Sequence, residues 1–351
     1  MGIKLIGEPV KVMCAPYTKH NYFAWPSIER LKNGRIAVAC SGFRLEHICP
    51  FGKAVICFSD DECESFSPPA PVIDTPLDDR DTGLCAFGDA SLIVTSFNNT
   101  VEFQRSCNPE NVYIQSYLDT VSQDEESKYL GSEFRISGDN GVTFGDIHIS
   151  PVTSPHGPCV LKDGTLLWVG RSFGTAHEEE GIKAYTVKPD GETVLKGQIE
   201  NVILNGEKPL LCEPHAVQLD NGDILCHIRA EGNGVFTTYQ SVSRDGALTW
   251  SKPQRLLDLK GGAPAHLLVH PSGTIISVYG YREKPYGIKA MISTDNGETW
   301  EKDIDINING VSSDIGYPAT VCLSDGNLFT VFYAHESKNA PAEIFGQKWC
   351  L

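Results

Sequence analysis

Hydrophobic and polar residues along this 351-residue chain fall into short apolar runs separated by tight polar turns. One recurring unit is an apolar strand, a polar turn ending in Gly, and a second apolar strand. It runs from Pro26 through Asn33-Gly34 to Ile36, from Pro214 through Gly222 to Leu225, and from Pro318 through Gly326 to Leu328. In these three copies Pro stands eight residues before the turn Gly, and in Pro155–Gly164 and Pro264–Gly273 it stands nine before. A sixth copy has Thr82 in place of the Pro and Ala90 in place of the Gly. Strands and turns at this density, with no convincing helical period, predict an all-β fold.

A second pattern lies between the hairpins. Ser293-Thr294-Asp295-Asn296-Gly297-Glu298-Thr299-Trp300 has counterparts at Ser137–Phe144 and Ser243–Trp250, and a worn copy at Ser59, Asp61, Cys63, Ser65 and Phe66. The copies recur at about 50 residues or twice that, the size of a four-stranded propeller blade. In each, Asp and Ser/Thr can bond nearby backbone N–H groups, Gly supplies a positive φ, and the terminal aromatic can wedge between sheets. These turns are too short and carry too few carboxylates to hold calcium, so they are read as scaffold. The two patterns together predict one domain, residues 1–351: a six-bladed β-propeller of four-stranded antiparallel blades. The strand Ile3–Cys14 closes the ring, which removes exposed sheet edges. The blade between about 154 and 211 keeps only a remnant outer turn near Pro189-Asp190-Gly191. Two longer loops, Asn98–Lys128 and Gly174–Gly181 with His177, are either lids or plain surface.

Composition narrows the function. A net charge of −16 excludes a nucleic-acid binder, which needs basic surface to neutralise phosphates. No apolar run approaches the length of a membrane span, and the start lacks the apolar core of a signal peptide, so a cytoplasmic protein is expected. The twelve cysteines show no C-x-x-C pair. Several, such as Cys57, Cys226 and Cys322, lie in strand-like runs and read as reduced core residues.

In a propeller the first strand of each blade lines the central channel, so two sets of residues meet at its head. Trp25, Asp81, Ser154, Glu213, Ala263 and Tyr317 stand before the descending strands. Arg44, Arg171, Arg229, Arg282 and His335 follow the climbing ones. Four arginines in an acidic chain suggest an anion site, since the planar guanidinium matches a carboxylate with two parallel hydrogen bonds. Alternatively some pair internally with Glu46, Glu231 or Glu283. Glu213 and Tyr317 suggest a phenol nucleophile activated by a carboxylate. A third group must protonate the leaving oxygen; Asp81 leads, with Glu46 and His47 as rivals. Trp25, His47, His156 and His215 complete the expected binding set. No histidine pair has metal-ligand spacing, so neither a metal nor another cofactor is expected.

With these residues in view, the chain resembles the sialidase (neuraminidase) superfamily of six-bladed propellers with Asp-box turns, over nearly its whole length. Cys212-Glu213-Pro214-His215-Ala216-Val217-Gln218-Leu219 resembles the strand carrying the sialidase glutamate, and Gly316-Tyr317-Pro318 the position of the tyrosine nucleophile. The arginine triad of that family is not matched. Its first place holds Ala24-Trp25-Pro26, and the places before two Asp boxes hold Thr238 and Lys289, of which Lys289 alone can still meet a carboxylate. Arg229, Arg282 and Arg44 are left to rebuild an anion site differently. The resemblance implies an exo-α-sialidase-like glycoside hydrolase acting on an acidic mono- or oligosaccharide. The alternatives are a lyase or hydrolase acting on a uronate, and a non-catalytic carbohydrate-binding propeller. Nothing in the sequence fixes the oligomeric state.

Overall fold

The computed structural model describes residues 2–172, 180–204, 206–232, 235–257 and 262–351, so the predicted loop with His177 lies almost wholly outside the described residues. Six antiparallel sheets of four strands each form the described chain. Blade 1 holds Tyr22–Arg30, Ile36–Arg44, Lys53–Ser59 and Ala70–Ile73, and blade 2 holds Arg80–Phe87, Ser91–Phe97, Ser132–Ser137 and His148–Ser150. The innermost strands of blades 3, 4 and 5 are Cys159–Val160, Leu210–Gln218 and Gly262–Val269. Blade 6 joins Gly316–Cys322, Leu328–His335 and Ala342–Cys350 to the N-terminal strand Lys4–Met13, which pairs with Ala342–Cys350 and closes the ring as predicted.

The Asp turns are scaffold. In the best-formed copy Ser293 Oγ donates to Asp295 Oδ1 (2.7 Å), and the same carboxylate accepts from Thr299 N (2.9 Å) and Thr299 Oγ1 (2.5 Å). Asp61, Asp139 and Asp245 repeat this arrangement. Their carboxylates are consumed within the turn, and the aromatics Phe66, Phe144, Trp250 and Trp300 pack against the cores. All twelve cysteines are free thiols, seven of them buried. No helix among the described residues is long and apolar enough to cross a membrane.

The insertion expected as an irregular loop is helical: α1 Val101–Cys107, α2 Val112–Leu118 and α3 Gln123–Tyr129. Seven residues are too few to show a period, but the caps were in the sequence. Thr100 and Asn111 accept from backbone N–H groups in the first turns of α1 and α2, and Ser122 with Glu125 forms a capping box on α3. Ile114 and Leu118 of α2 pack on Cys49, Leu45 and Phe51, and Asn108 Nδ2 donates to Ile48 O (3.0 Å). The insertion thus braces the blade 1 loop that carries His47.

Candidate functional site

The site begins with one backbone irregularity repeated around the ring. On the innermost strand of blade 4, Cys212 pairs with Arg229 and His215 with His227, so three steps on one strand face two on the other. The same bulge stands at Ala24/Ser27, Arg80/Gly83, Gly262/Ala265 and Gly316/Ala319. In four of these five blades a Pro, which has no N–H to give the ladder, occupies the bulge. The bulge forces positive φ on Trp25 (57°), Asp81 (46°), Glu213 (49°) and Tyr317 (48°). A non-glycine residue held there costs on the order of 1–3 kcal/mol, and such residues concentrate at functional sites. Gly316, at φ 135°, is the residue that lets the chain enter the Tyr317 bulge.

The bulges aim Glu213 and Tyr317 at each other, and Arg229 joins them. Tyr317 Oη donates to Glu213 Oε1 at 2.6 Å, and Arg229 Nη1 donates to Glu213 Oε2 (2.6 Å) and Tyr317 Oη (3.1 Å). Arg229 Nη2 also bonds Glu231, the internal pairing weighed above. Arg282 lies 5.8 Å from the Tyr317 ring and donates to Ile315 O and to Tyr333 Oη. Burial, then the Glu213 charge, pushes the Tyr317 phenol well above its ordinary value, so it keeps its proton in the resting site. Asp81 is 6% exposed, its Oδ1 has no hydrogen-bond partner, and burial raises its carboxyl to about 7.

Two residues were not foreseen. Arg80, immediately before Asp81, is 9% exposed and lies 4.4 Å over the Trp25 ring and 6.0 Å over Phe97. Its guanidinium makes no hydrogen bond or ion pair with a described residue, and its Nε is buried and unsatisfied. Its signal in the sequence was only its place beside a bulge. Asp314, in the loop before the innermost strand of blade 6, accepts from Tyr333 Oη (2.7 Å), His335 Nε2 (2.9 Å) and Tyr22 Oη (3.2 Å). A loop residue has no repeat position to mark it.

Other expected binding residues lie elsewhere. Arg44 is fully buried, ion-paired to Asp78 at 2.6 Å and bonded to Ser41 Oγ and His47 O. Register explains the error. Arg229 faces Cys212, next to its bulge, but the residue facing Ala24 is Ser41, and Arg44 faces Tyr22. Gly52 leaves the room: a Cβ there would lie 2.1 Å from Arg44 Nη1. Trp25 is 1% exposed, so it supports Arg80 and Arg44 from beneath rather than touching a ligand. Lys289 meets carboxylates, but the protein's own Asp305 (3.3 Å) and Asp303 (3.6 Å). Arg171 bonds Glu180 (3.0 Å) beside a separate concavity of about 420 Å³ shared with Lys208 and Leu211. Another concavity, of about 560 Å³, lies among turns of blades 4 and 5 and includes Arg244 and Glu298; none of the four bulge residues lines it.

His156 and His215 sit deeper in the channel, against His266, with ring centroids 4.4–5.6 Å apart. They join blades: His215 Nδ1 accepts from Leu267 N (2.9 Å), His266 Nδ1 accepts from Thr320 N (3.3 Å), and His156 Nδ1 meets Ser27 Oγ (3.3 Å). Burial lowers all three well below the ordinary imidazole value, which keeps them neutral. Their contacts are structural. Among the described residues no group of three or more His, Cys, Asp or Glu is arranged to hold a metal ion.

Comparison with known proteins adds to this picture. Residues 93–330 match the family model described as BNR repeat-like domain. No curated protein sequence matches significantly. Among solved structures, a Dyadobacter fermentans protein of unknown function superposes with a TM-score of 0.79 at 20% identity, over 100% of this chain and 99% of that one. The NanB sialidase of Streptococcus pneumoniae gives 0.67 at 13% identity, over 99% of this chain and 71% of that one. An α-L-arabinanase of Penicillium chrysogenum gives 0.62 at 16% identity, over 99% and 98%. The propeller is therefore a fold shared with glycoside hydrolases, including a sialidase.

Proposed function

The chain belongs to the BNR repeat-like domain family, and we propose that it is a glycoside hydrolase that releases a terminal acidic sugar, most simply as an exo-α-sialidase. The observation that carries this reading is the 2.6 Å hydrogen bond from Tyr317 to Glu213, with Arg229 held against both. A phenol is a weak nucleophile until a carboxylate takes its proton. In the proposed first step Tyr317 Oη attacks the anomeric carbon and Glu213 accepts the phenolic proton. The glycosidic C–O bond breaks, and the leaving oxygen takes the Asp81 proton. Water then reverses each transfer: its proton goes to Asp81, its oxygen bonds the anomeric carbon, and Tyr317 recovers its proton from Glu213. The elevated Asp81 carboxyl is protonated in a useful fraction of molecules near neutrality, as the first step requires. Arg80, Arg229 and Arg282 supply guanidinium for the sugar's carboxylate, and the Arg80 guanidinium makes no hydrogen bond or ion pair with a described residue.

The test is hydrolysis of a fluorogenic α-sialoside by the wild type, Tyr317→Phe and Glu213→Gln, with folding checked by circular dichroism. Glu213→Gln is expected to lose roughly 10²–10⁴-fold in rate, and Tyr317→Phe at least as much. Full activity in Tyr317→Phe would refute the nucleophile assignment. An unsaturated, ultraviolet-absorbing product from a uronate substrate would make the protein a lyase, and sugar binding without turnover would make it a binding module.

A further inference from the structure

We propose that Asp314, Tyr22 and His335 form a relay that fixes the tautomer of His47, and that His47 Nε2 thereby becomes a neutral acceptor for a hydroxyl group of the bound sugar. The second half rests on the reading of the site as one for an acidic sugar; the first does not.

Proton counting carries the argument. His335 Nδ1 faces Ala340 O at 2.8 Å and its Nε2 faces Asp314 Oδ2 at 2.9 Å. A ring that donates from both nitrogens is an imidazolium, and the hydrogen bond to Asp314 raises the His335 pKa accordingly. Against its partial burial, hydrogen bonds from His335 and then Tyr333 hold Asp314 ionised, down to about 2. An ionised carboxylate only accepts, so the single proton of Tyr22 Oη goes to Asp314 Oδ2 at 3.2 Å. His47 Nδ1 lies 3.1 Å from the same phenol oxygen. That oxygen has no second proton to give, so Nδ1 carries the hydrogen and donates. The neutral ring then has its lone pair on Nε2.

The surroundings fit an acceptor. His47 is exposed, yet it is held from two sides besides the relay. Arg44 Nη2 donates to its backbone oxygen (2.8 Å), and its ring stands edge-on to Trp25 at 4.9 Å. Its Nε2 has no hydrogen-bond partner among the described residues. Desolvation and the Arg80 charge lower the imidazole to about 4, so it remains neutral in the physiological range. A fixed lone pair repels a carboxylate and matches a hydroxyl, while the guanidinium of Arg80, over the same Trp25, matches a carboxylate. An acidic sugar offers both groups on one ring. Tyr22 and Asp314 act through His47 and are positioning residues.

The experiment is two-dimensional NMR of the histidine-¹⁵N-labelled full chain, with the His47 signals assigned by their loss in His47→Gln. The expected wild-type pattern at neutral pH is Nδ1–H with an unprotonated Nε2. Tyr22→Phe, or Asp314→Asn if that variant does not fold, should move the ring toward the Nε2–H form that free imidazole side chains prefer. An Nε2–H pattern in the wild type overturns the relay, as does an unchanged pattern in a folded Tyr22→Phe or Asp314→Asn. Titration with N-acetylneuraminic acid should shift Nε2 and not Nδ1. In calorimetry His47→Phe should weaken that sugar roughly tenfold, the worth of one neutral hydrogen bond, while His47→Gln, which keeps an acceptor, should weaken it less. Binding that leaves Nε2 unmoved overturns the hydroxyl contact. No binding at all refutes the acidic-sugar reading together with that contact, and the tautomer result then stands alone.

Discussion

Trp25 has two arginines over its ring, in opposite circumstances. Arg44, 4.9 Å from the ring centroid, commits both terminal nitrogens to Asp78, Ser41 and His47 O. Arg80, 4.4 Å away, commits none to a described residue. Both are charged and buried, and in both Nε has no hydrogen-bond partner among the described residues, so the difference lies in their terminal nitrogens. Around Arg44 the blade 1 loop closes: Asp78 Oδ2 also accepts from Cys49 N (3.0 Å), and Gly52 leaves the pair its space. Beside Arg80 stands Asp81, with an unpartnered buried oxygen and a strained backbone. A buried polar group without a partner costs free energy unless something else completes it. The finished region is scaffold, and the proposed function places its ligand at the unfinished one.

Breaking the finished side should have the largest effect on stability. Arg44→Met strands the Asp78 carboxylate in a dry interior, which costs roughly 3–5 kcal/mol. Urea denaturation should show that loss, and a variant as stable as the wild type would contradict the structural role. Arg80→Met breaks no hydrogen bond or ion pair with a described residue, but it takes a positive charge from beside Asp78 and Asp81. Stability should change by about 2 kcal/mol, the worth of a desolvated cation–π contact. Its affinity for the acidic sugar should fall by about 1.5–3 kcal/mol, the worth of a charged hydrogen bond, or on the order of 10–100-fold. Calorimetry on the same preparation separates the two effects.

A pH-dependent effect sharpens the comparison at a buried carboxyl pair. Glu133 is fully buried and is held far above the ordinary carboxylate range by burial, then by the Asp79 charge and a hydrogen bond with the Asp79 carboxyl. A raised folded-state pKa means that folding takes up a proton. This contribution is present in full below the unfolded carboxyl value, and is lost as pH rises through the alkaline folded one. Glu133→Gln should flatten that decline, by up to about 1.4 kcal/mol per pH unit. Urea midpoints measured from about pH 5 to 9 would reveal it. A steeper decline in the variant would mean that Glu133 is ionised in the fold.

The sequence disclosed the ring because its signals are local and repeated. Pro-to-Gly spacing placed the hairpins, Asp turns marked the outer strands, and the positions before the descending strands picked out Asp81, Glu213 and Tyr317. What it could not show was how far each climbing strand runs before its arginine. Arg229, Arg282 and Arg44 look alike by position, but only Arg229 pairs directly beside its bulge. Arg80 lies one residue before a repeat position and so escaped a reading built on those positions. Asp314 lies in a loop, where periodicity says nothing. His156 and His215 were placed one layer too high, because closeness to a strand start does not reveal depth in the channel.

The most direct test of the proposed chemistry is to trap the intermediate. The wild type would be incubated with an acidic sugar that bears a good leaving group and a ring fluorine to slow release, then quenched and digested. Mass spectrometry should find the sugar mass added to the peptide containing Tyr317, and no adduct in Tyr317→Phe. Turnover with the adduct on another residue, or on none, would contradict the assignment of Tyr317 as nucleophile.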